Sequence, residues 1–303
     1  MYLLVKLLTH FTIWLTCKRF AVYNKSVTQI QTPLIIGCNH PNSFLDAILT
    51  GAQMKKRVHF LTRGDVFKNK FVIAIMKSVN MIPIYRIRDG KDNLSKNDVT
   101  FEMCREIIKR GEHVLIFVEG FCQHQTSLQT PLKKGAPRLL LQGRKDEIDV
   151  QLLPVWVEYN SFSAFPKQID IYFGNVFGKD IINDGDENGA VMQSINKETE
   201  RQLLQLSANK NPGKKQNSKN LLLLPAMLGF MAHALLVLPI HFFAKQIKED
   251  IHYDSVMFSA IALLYPIYLL LLAGIIFCTA GWLWALISIL SLPLLARAYT
   301  LWK

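Results

Sequence analysis

The carboxyl-terminal part of the chain constrains the fold most, because it is too apolar for a soluble domain. Residues 255–301 are almost uninterrupted hydrophobic residues, and this length accommodates two membrane-crossing helices of about 20 residues each. The stretch CTAGW at 278–282 is typical of a tight turn between them. A further apolar segment, 221–243, is interrupted by two prolines and by His233. It has two interpretations, a kinked membrane span or a re-entrant element, and the prolines favour the second.

Charge distribution indicates how the chain lies relative to the membrane. The sequence has 35 Lys and Arg against 23 Asp and Glu, a net charge of +12, which attracts lipid headgroups, nucleic acid or phosphorylated substrates. The long apolar tail favours lipid over nucleic acid. Residues 208–219 are a basic linker with four lysines and no acid. The positive-inside rule favours a re-entrant first segment, with the basic flanks in the cytoplasm, so we expect an integral membrane protein with a membrane region over residues 220–303.

Residues 1–29 predict a helix at the membrane surface. They contain no small-residue cleavage site, and the stretch between the outer basic groups barely reaches the ~20 residues needed to cross a bilayer. Their apolar residues recur at helical spacing, which is typical of a helix lying in the interface. An ordinary core helix is the alternative interpretation. The apolar positions are Leu3, Leu4, Leu7, Leu8, Phe11, Trp14 and Leu15.

Between residues 30 and 207, short apolar runs alternate with amphipathic stretches. This alternation predicts an α/β domain with a mostly parallel central sheet flanked by helices. In such sheets ligands bind beyond the carboxyl ends of the strands. The predicted strands are 33–38, 57–61, 80–85, 113–118, 152–159 and 169–174, and the predicted helices are 44–54, 67–78, 98–110 and 135–143.

Polar groups follow three of the predicted strands and form a candidate site. His40, Arg86 and Glu119 each come just after a strand. Histidine suits general-base chemistry near neutral pH, and a carboxylate bonded to one ring nitrogen fixes the tautomer that leaves the other nitrogen free. Asp46 lies six residues after His40, and it faces His40 only if a helix begins near Ser43.

A purely structural interpretation of this stretch is also open. Residues 43–46 have the form of an N-capping box, in which Asp46 would bond the backbone rather than His40. His40 would then be a turn histidine. The two interpretations predict different results for a substitution: Asp46→Asn costs on the order of 10⁴ in turnover if the pair acts as in serine proteases, and little if Asp46 only caps the helix.

Several motifs resemble those of the glycerolipid acyltransferases, the glycerol-3-phosphate and 1-acylglycerol-3-phosphate acyltransferase family. NHPNSFLD (39–46) resembles the first motif, with five residues between His and Asp where the family usually has four. NMIPIYR (80–86), LIFVEGFCQ (115–123) and LLPVWVEY (152–159) resemble the second, third and fourth, in the family's order. LKKGAPRLL (132–140) matches the basic residue and glycine that follow the third motif.

The resemblance implies residue roles. His40 would be the catalytic base and Asp46 would orient it. The chain departs from the family pattern after the Glu-Gly pair, where many members have Thr or Ser and Arg and this chain has Phe121, Cys122 and Gln123. The resemblance places Asn42, Ser43, Arg86, Glu119, Gly120, Lys134 and Gly135 in substrate binding.

The implied activity is transfer of a fatty acyl group from acyl-CoA or acyl-carrier protein to a hydroxyl of glycerol-3-phosphate or 1-acylglycerol-3-phosphate, with membrane lipids as partners and the catalytic domain facing the cytoplasm. No cofactor or metal is expected, because the five scattered cysteines and His113, His124 and Asp65 show no metal-ligand spacing. The alternative is a non-catalytic lipid-binding or membrane-scaffolding protein on the same fold.

Overall fold

A seven-stranded mixed sheet organises the amino-terminal two thirds of the chain in the computed structural model. The structure describes residues 1–67, 69–85, 96–179, 181, 188–209, 221–247 and 250–303. The strands lie in the order β1-β7-β6-β2-β5-β3-β4. They are β1 (Cys17–Tyr23), β2 (Leu34–Cys38), β3 (Val58–Arg63), β4 (Met81–Ile84), β5 (His113–Phe117), β6 (Gln151–Tyr159) and β7 (Lys167–Phe173).

The five strands from β6 to β4 are parallel, while β7 is antiparallel to β6 and β1 is parallel to β7. The predicted α/β class with a mostly parallel sheet is therefore confirmed. The helices are α1 (Tyr2–Thr16), α2 (Phe44–Gln53), α3 (Lys70–Ser78), α4 (Lys96–Lys109), α5 (Gly135–Lys145), α6 (Asn188–Ala208), α7 (Leu223–Lys245), α8 (Tyr253–Ala280) and α9 (Trp282–Trp302).

Two apolar cores cover the two faces of the sheet. One core joins the sheet to α4, α5 and α6 through residues such as Ile108, Leu139 and Ile195. The other joins it to α1 and α2, and it also includes Phe258 of α8. Strand β2 is buried along its whole length, as expected for the central strand of a sheet covered on both faces. Its carboxyl end is consequently held rigidly from both sides.

The amino-terminal segment differs from the sequence prediction. The predicted helix over residues 1–29 ends at Thr16, and residues 17–23 form β1 at the edge of the sheet. Lys18 and Arg19 are typical of the basic residues that flank an interfacial helix. For this reason the sequence pattern did not predict a strand at residues 17–23. In the structure the Arg19 guanidinium instead bonds Asp170 of β7 at 2.5 Å.

The carboxyl-terminal region consists of three long apolar helices, and 223–245, 250–280 and 282–302 each have the length and composition to cross a membrane. The predicted turn at 278–282 is confirmed, with Gly281 at φ 89° between α8 and α9. The expected break in the first segment is wrong, since α7 is one continuous helix containing Pro239, and the course of this helix relative to the membrane stays a prediction. A proline inside a helix removes a single backbone hydrogen bond and can kink the helix without ending it.

The three helices are packed against the α/β domain at α1 and at the start of β1. Leu15 of α1 shares an apolar cluster with Ile240 of α7 and Met257 of α8. The Arg297 guanidinium of α9 donates to the carbonyl oxygens of Trp14 and Cys17, at 2.6 and 2.5 Å. The sheet and the apolar helices therefore form one packed unit.

Candidate active site

The carboxyl end of β2 places the histidine at the centre of the site. After Cys38 the Asn39 side chain holds the chain against β6, accepting from Val157 N–H at 2.7 Å and donating to Val157 C=O at 3.0 Å. The chain then turns at Ser43, whose φ of 54° lies in the left-handed region. Helix α2 begins at Phe44, so its first turn brings Asp46 back beneath His40.

The His40 and Asp46 side chains form a direct hydrogen bond. His40 Nδ1 lies 2.9 Å from Asp46 Oδ2. Asp46 is fully buried and accepts two further bonds, from Asn42 N–H to Oδ2 at 2.8 Å and from the Tyr159 hydroxyl to Oδ1 at 2.7 Å. Both oxygens of this side chain thus act as hydrogen-bond acceptors. Nδ1 of His40 therefore carries the proton, and Nε2 presents its lone pair.

The imidazole is fixed in orientation as well as in tautomer. Its ring lies 3.5 Å from the Phe117 ring at the end of β5, with 7° between their planes. Its side chain is 15% exposed. Among the described residues, Nε2 has no hydrogen-bond partner, so this nitrogen is available to a bound hydroxyl.

Glu119 supports the histidine from the adjacent strand end rather than offering a free carboxylate. Its Oε2 accepts the His40 backbone N–H at 2.7 Å. Its Oε1 accepts from the Gln125 side chain at 2.9 Å and from Gln129 N–H at 2.8 Å. Burial raises the pKa of Glu119, although the two backbone N–H groups act in the opposite direction. The carboxyl group thus links the His40 backbone to the loop after β5.

Asn42 and Ser43, which the resemblance placed in substrate binding, have protein partners from the start of α8. Asn42 Nδ2 donates to Asp254 Oδ2 at 2.7 Å, and Ser43 Oγ lies 2.7 Å from His252 Nδ1. Ser43 makes no side-chain capping bond to α2. The capping-box interpretation is therefore met only in part, through the bond from Asn42 N–H to Asp46, and Asp46 also contacts the histidine.

The glycines that the resemblance singled out make close backbone approaches. Gly120 has φ of 74°, and a Cβ there would lie 2.6 Å from Lys133 Cγ. A Cβ on Gly135 would lie 2.6 Å from Ile116 Cδ1. It is thus the Lys133 stem that packs on Gly120, whereas Lys134 is exposed at the start of α5. Arg86 lies outside the described residues, and its substrate role stays a prediction.

Cys122 is a part of the site to which the sequence analysis assigned no role. Its sulfur accepts Ser43 N–H at 2.9 Å, and it forms with His40 and Asp46 a group of potential metal ligands within 4.8 Å of one another. Burial, followed by the Asp46 charge, raises the pKa of the thiol. Metal ligation and nucleophilic attack both require the thiolate, so this environment disfavours both for Cys122.

Other contributing residues have weak signals in the sequence. Tyr159 is detectable only as the last residue of β6, at the edge of the sheet where the site lies. His252, Asp254 and Ser255 have no local signal, because they lie more than 200 positions from the loop that they contact.

Comparisons with known proteins give three similarities. Residues 19–158 match the family model described as Acyltransferase. A 1-acyl-sn-glycerol-3-phosphate acyltransferase from Bacillus subtilis (strain 168) is 27% identical over 124 residues, which cover 41% of this chain and 57% of that protein. The crystal structure of the 1-acyl-sn-glycerophosphate (LPA) acyltransferase, PlsC, from Thermotoga maritima has a TM-score of 0.48 and 14% identity, covering 69% of this chain and 80% of that one.

The matched range contains the His40–Asp46 pair and the Glu119 loop, ends one residue before Tyr159, and excludes the described apolar helices α7, α8 and α9. Over residues 19–158, this chain is therefore similar to the acyltransferase family.

Proposed function

We propose that the protein is a membrane-bound glycerolipid O-acyltransferase. It transfers a fatty acyl group from acyl-CoA or acyl-carrier protein to a hydroxyl of glycerol-3-phosphate or 1-acylglycerol-3-phosphate. The observation that carries this proposal is the hydrogen bond between His40 and the fully buried Asp46, which leaves Nε2 of a fixed imidazole as a general base.

The proposed reaction needs one proton transfer in each direction. His40 Nε2 takes the proton from the acceptor hydroxyl while the hydroxyl oxygen forms a bond to the thioester carbonyl carbon. The tetrahedral intermediate then collapses, the carbon–sulfur bond breaks, and the imidazolium returns the proton to the departing thiolate. Asp46 stabilises the imidazolium between the two steps. The thioester is already activated, so a covalent acyl-enzyme is unnecessary.

Tyr159 and Glu119 support this cycle by holding Asp46 and His40 in position. The Tyr159 hydroxyl holds Asp46 Oδ1 and leaves Oδ2 directed at His40. Glu119 fixes the His40 backbone. In this proposal Arg86 binds the acceptor phosphate, because a planar guanidinium suits phosphate. Lys134, which is exposed at the start of α5, adds a second positive charge for the phosphate.

The exposed apolar surface supports association with a lipid bilayer. In α1, Leu3 and Leu7 are 73% and 68% exposed while Thr9 and Thr12 are buried, the reverse of a soluble helix. Many large residues of α7, α8 and α9 are also exposed. Such a surface requires lipid or another apolar partner. We propose an integral membrane protein with the catalytic domain in the cytoplasm, where each basic residue near an anionic leaflet adds about 1 kcal/mol of attraction.

The proposal is tested by acyl transfer with the purified full chain in lipid or detergent. Labelled palmitoyl-CoA and palmitoyl-acyl-carrier protein are each combined with glycerol-3-phosphate and with 1-acylglycerol-3-phosphate, and lipid products are separated and counted. We expect product from at least one pair and none without acceptor. A folded protein that forms no product from any pair would contradict the proposed substrates.

A further inference from the structure

We propose that residues 252–255, which are the N-cap and the first residues of α8, are a positioning element of the active site as well as the beginning of a membrane-region helix. Its side chains hold the segment between the two proposed catalytic residues, 42–45, in place. This inference rests on the proposed function for its kinetic consequences, and its structural part can be tested without any substrate.

Ser255 joins the two ends of this segment. Its hydroxyl donates to Asn42 C=O at 3.2 Å and accepts Leu45 N–H at 3.1 Å. The first N–H groups of a helix have no partner within the helix and need an external acceptor. Because Ser43 does not cap α2 with its side chain, Ser255 supplies an acceptor from α8.

Asp254 fixes the same segment through a buried charge. The carboxylate accepts from Asn42 Nδ2 at 2.7 Å and forms an ion pair with Lys167 at the start of β7. Asp254 and Asn42 are fully buried, and Lys167 is 1% exposed. Separating the partners of a buried ion pair would leave an uncompensated buried charge, which is strongly destabilising. The pair therefore ties α8, the sheet and the His40–Asp46 segment to one another.

His252 holds the strained residue of the turn. Ser43 has a left-handed φ of 54°, which is unfavourable for a residue with a side chain unless the surroundings impose it. Its Oγ meets His252 Nδ1 at 2.7 Å and its N–H donates to Cys122. The turn at Ser43 is therefore held both by the approach to α8 and by the loop after β5.

These contacts give the apolar helices a role beyond anchoring. The residues that make them lie outside the matched acyltransferase domain, yet they touch the segment that determines where Asp46 lies relative to His40. A misplacement of about 1 Å at a catalytic group can reduce turnover on the order of 10²-fold. A movement of α8 in the membrane would consequently change the site directly.

The test uses Ser255→Ala, with Ser259→Ala as the matched control. Ser259 lies one turn further along α8, and its side chain hydrogen-bonds, among the described residues, only to Ser255 C=O in the same helix, at 2.6 Å. Two quantities are measured on the full chain: amide hydrogen exchange of the peptide containing residues 40–48, and kcat and KM with the substrate pair that the wild-type protein uses.

We expect Ser255→Ala to accelerate exchange of this peptide about fivefold, the effect of losing about 1 kcal/mol of hydrogen bonding. We also expect kcat to fall by about tenfold or more with KM changed less than about threefold, because the loss concerns catalytic geometry rather than uniform substrate binding. Ser259→Ala should match the wild type in both measurements.

Unchanged exchange in Ser255→Ala would overturn the inference. Faster exchange with unchanged kcat in an active enzyme would overturn its positioning role. If the wild-type protein transfers no acyl group, the proposed function fails, and the exchange measurement alone decides whether α8 holds the segment.

Discussion

Replacing Asp46 with asparagine separates two contributions of the carboxylate, its charge and its control of the His40 tautomer. Oδ2 of Asp46 accepts from both His40 Nδ1 and the Asn42 backbone N–H. In Asp46→Asn, the amide oxygen can keep both of these donors. The amide nitrogen would then face the Tyr159 hydroxyl, which can turn to accept. The opposite rotamer would set a donor against Asn42 N–H, at a cost of about 1–3 kcal/mol for the unsatisfied groups.

The backbone N–H of Asn42 therefore selects the rotamer that preserves the His40 tautomer, and the main loss is the charge opposite the imidazolium. Two unit charges about 4 Å apart at an effective dielectric constant of about 20 attract by about 4 kcal/mol. Since about 1.4 kcal/mol corresponds to a tenfold change in rate, this term corresponds to at most about 10³ in kcat. We expect Asp46→Asn to reduce kcat by about 10²–10³, less than the ~10⁴ seen when the tautomer is also wrong.

The assay follows thiol release from acyl-CoA under saturating acceptor, with circular dichroism and thermal unfolding as controls for folding. A loss of about 10⁴ or more in a folded protein would show that the rotamer reasoning is wrong. A loss of less than about threefold would show that Asp46 serves α2 and the backbone but not His40, as the capping-box interpretation predicts.

Two further predictions use single groups. Tyr159→Phe removes the hydroxyl donor to Asp46 Oδ1 and should lower the free energy of unfolding by about 2 kcal/mol, as expected for a hydrogen bond to a charged group; an unchanged unfolding transition in detergent would contradict this. Burial lowers the pKa of His113 to about 4, and its Nδ1 accepts Leu34 N–H, so the folded state requires the neutral ring. The unfolded chain gains a proton below its ordinary pKa of about 6.5, so stability should fall by up to about 3 kcal/mol as pH decreases from about 6.5 to about 4; the same pH slope in His113→Asn would refute this assignment.

Local patterns in the sequence predict much of the fold and part of the site. The predicted strands and helices of the α/β domain are present with bounds shifted by at most three residues, because each has a clear apolar period and a turn after it. The contact between His40 and Asp46 follows from a single local condition, a helix that begins near Ser43, and the structure meets it. Features that depend only on residues within about a dozen positions of one another could therefore be predicted from the sequence.

Contacts that depend on distant segments were not visible. Strand β1 forms because residues 17–23 pair with β7 about 150 positions later. This pairing determines the structure of residues 17–23, although their basic residues resemble the flank of an interfacial helix. Asn42 and Ser43 look free to bind substrate in the sequence, whereas their partners Asp254 and His252 come from the apolar region. A single sequence gives no signal for such pairings, since the energy that selects them arises only when the helices pack.

The central claim is that His40 is the general base, and turnover of His40→Ala tests it most directly. His10→Ala is the matched control, since His10 lies in α1 and contacts only the Ala52 carbonyl oxygen among described residues, at 3.2 Å. General-base catalysis contributes about 10²–10⁴ to rate, so we predict that kcat of His40→Ala falls by at least about 10²-fold while His10→Ala keeps wild-type turnover and both variants stay folded. A folded His40→Ala protein that transfers acyl groups at the wild-type rate would contradict the account.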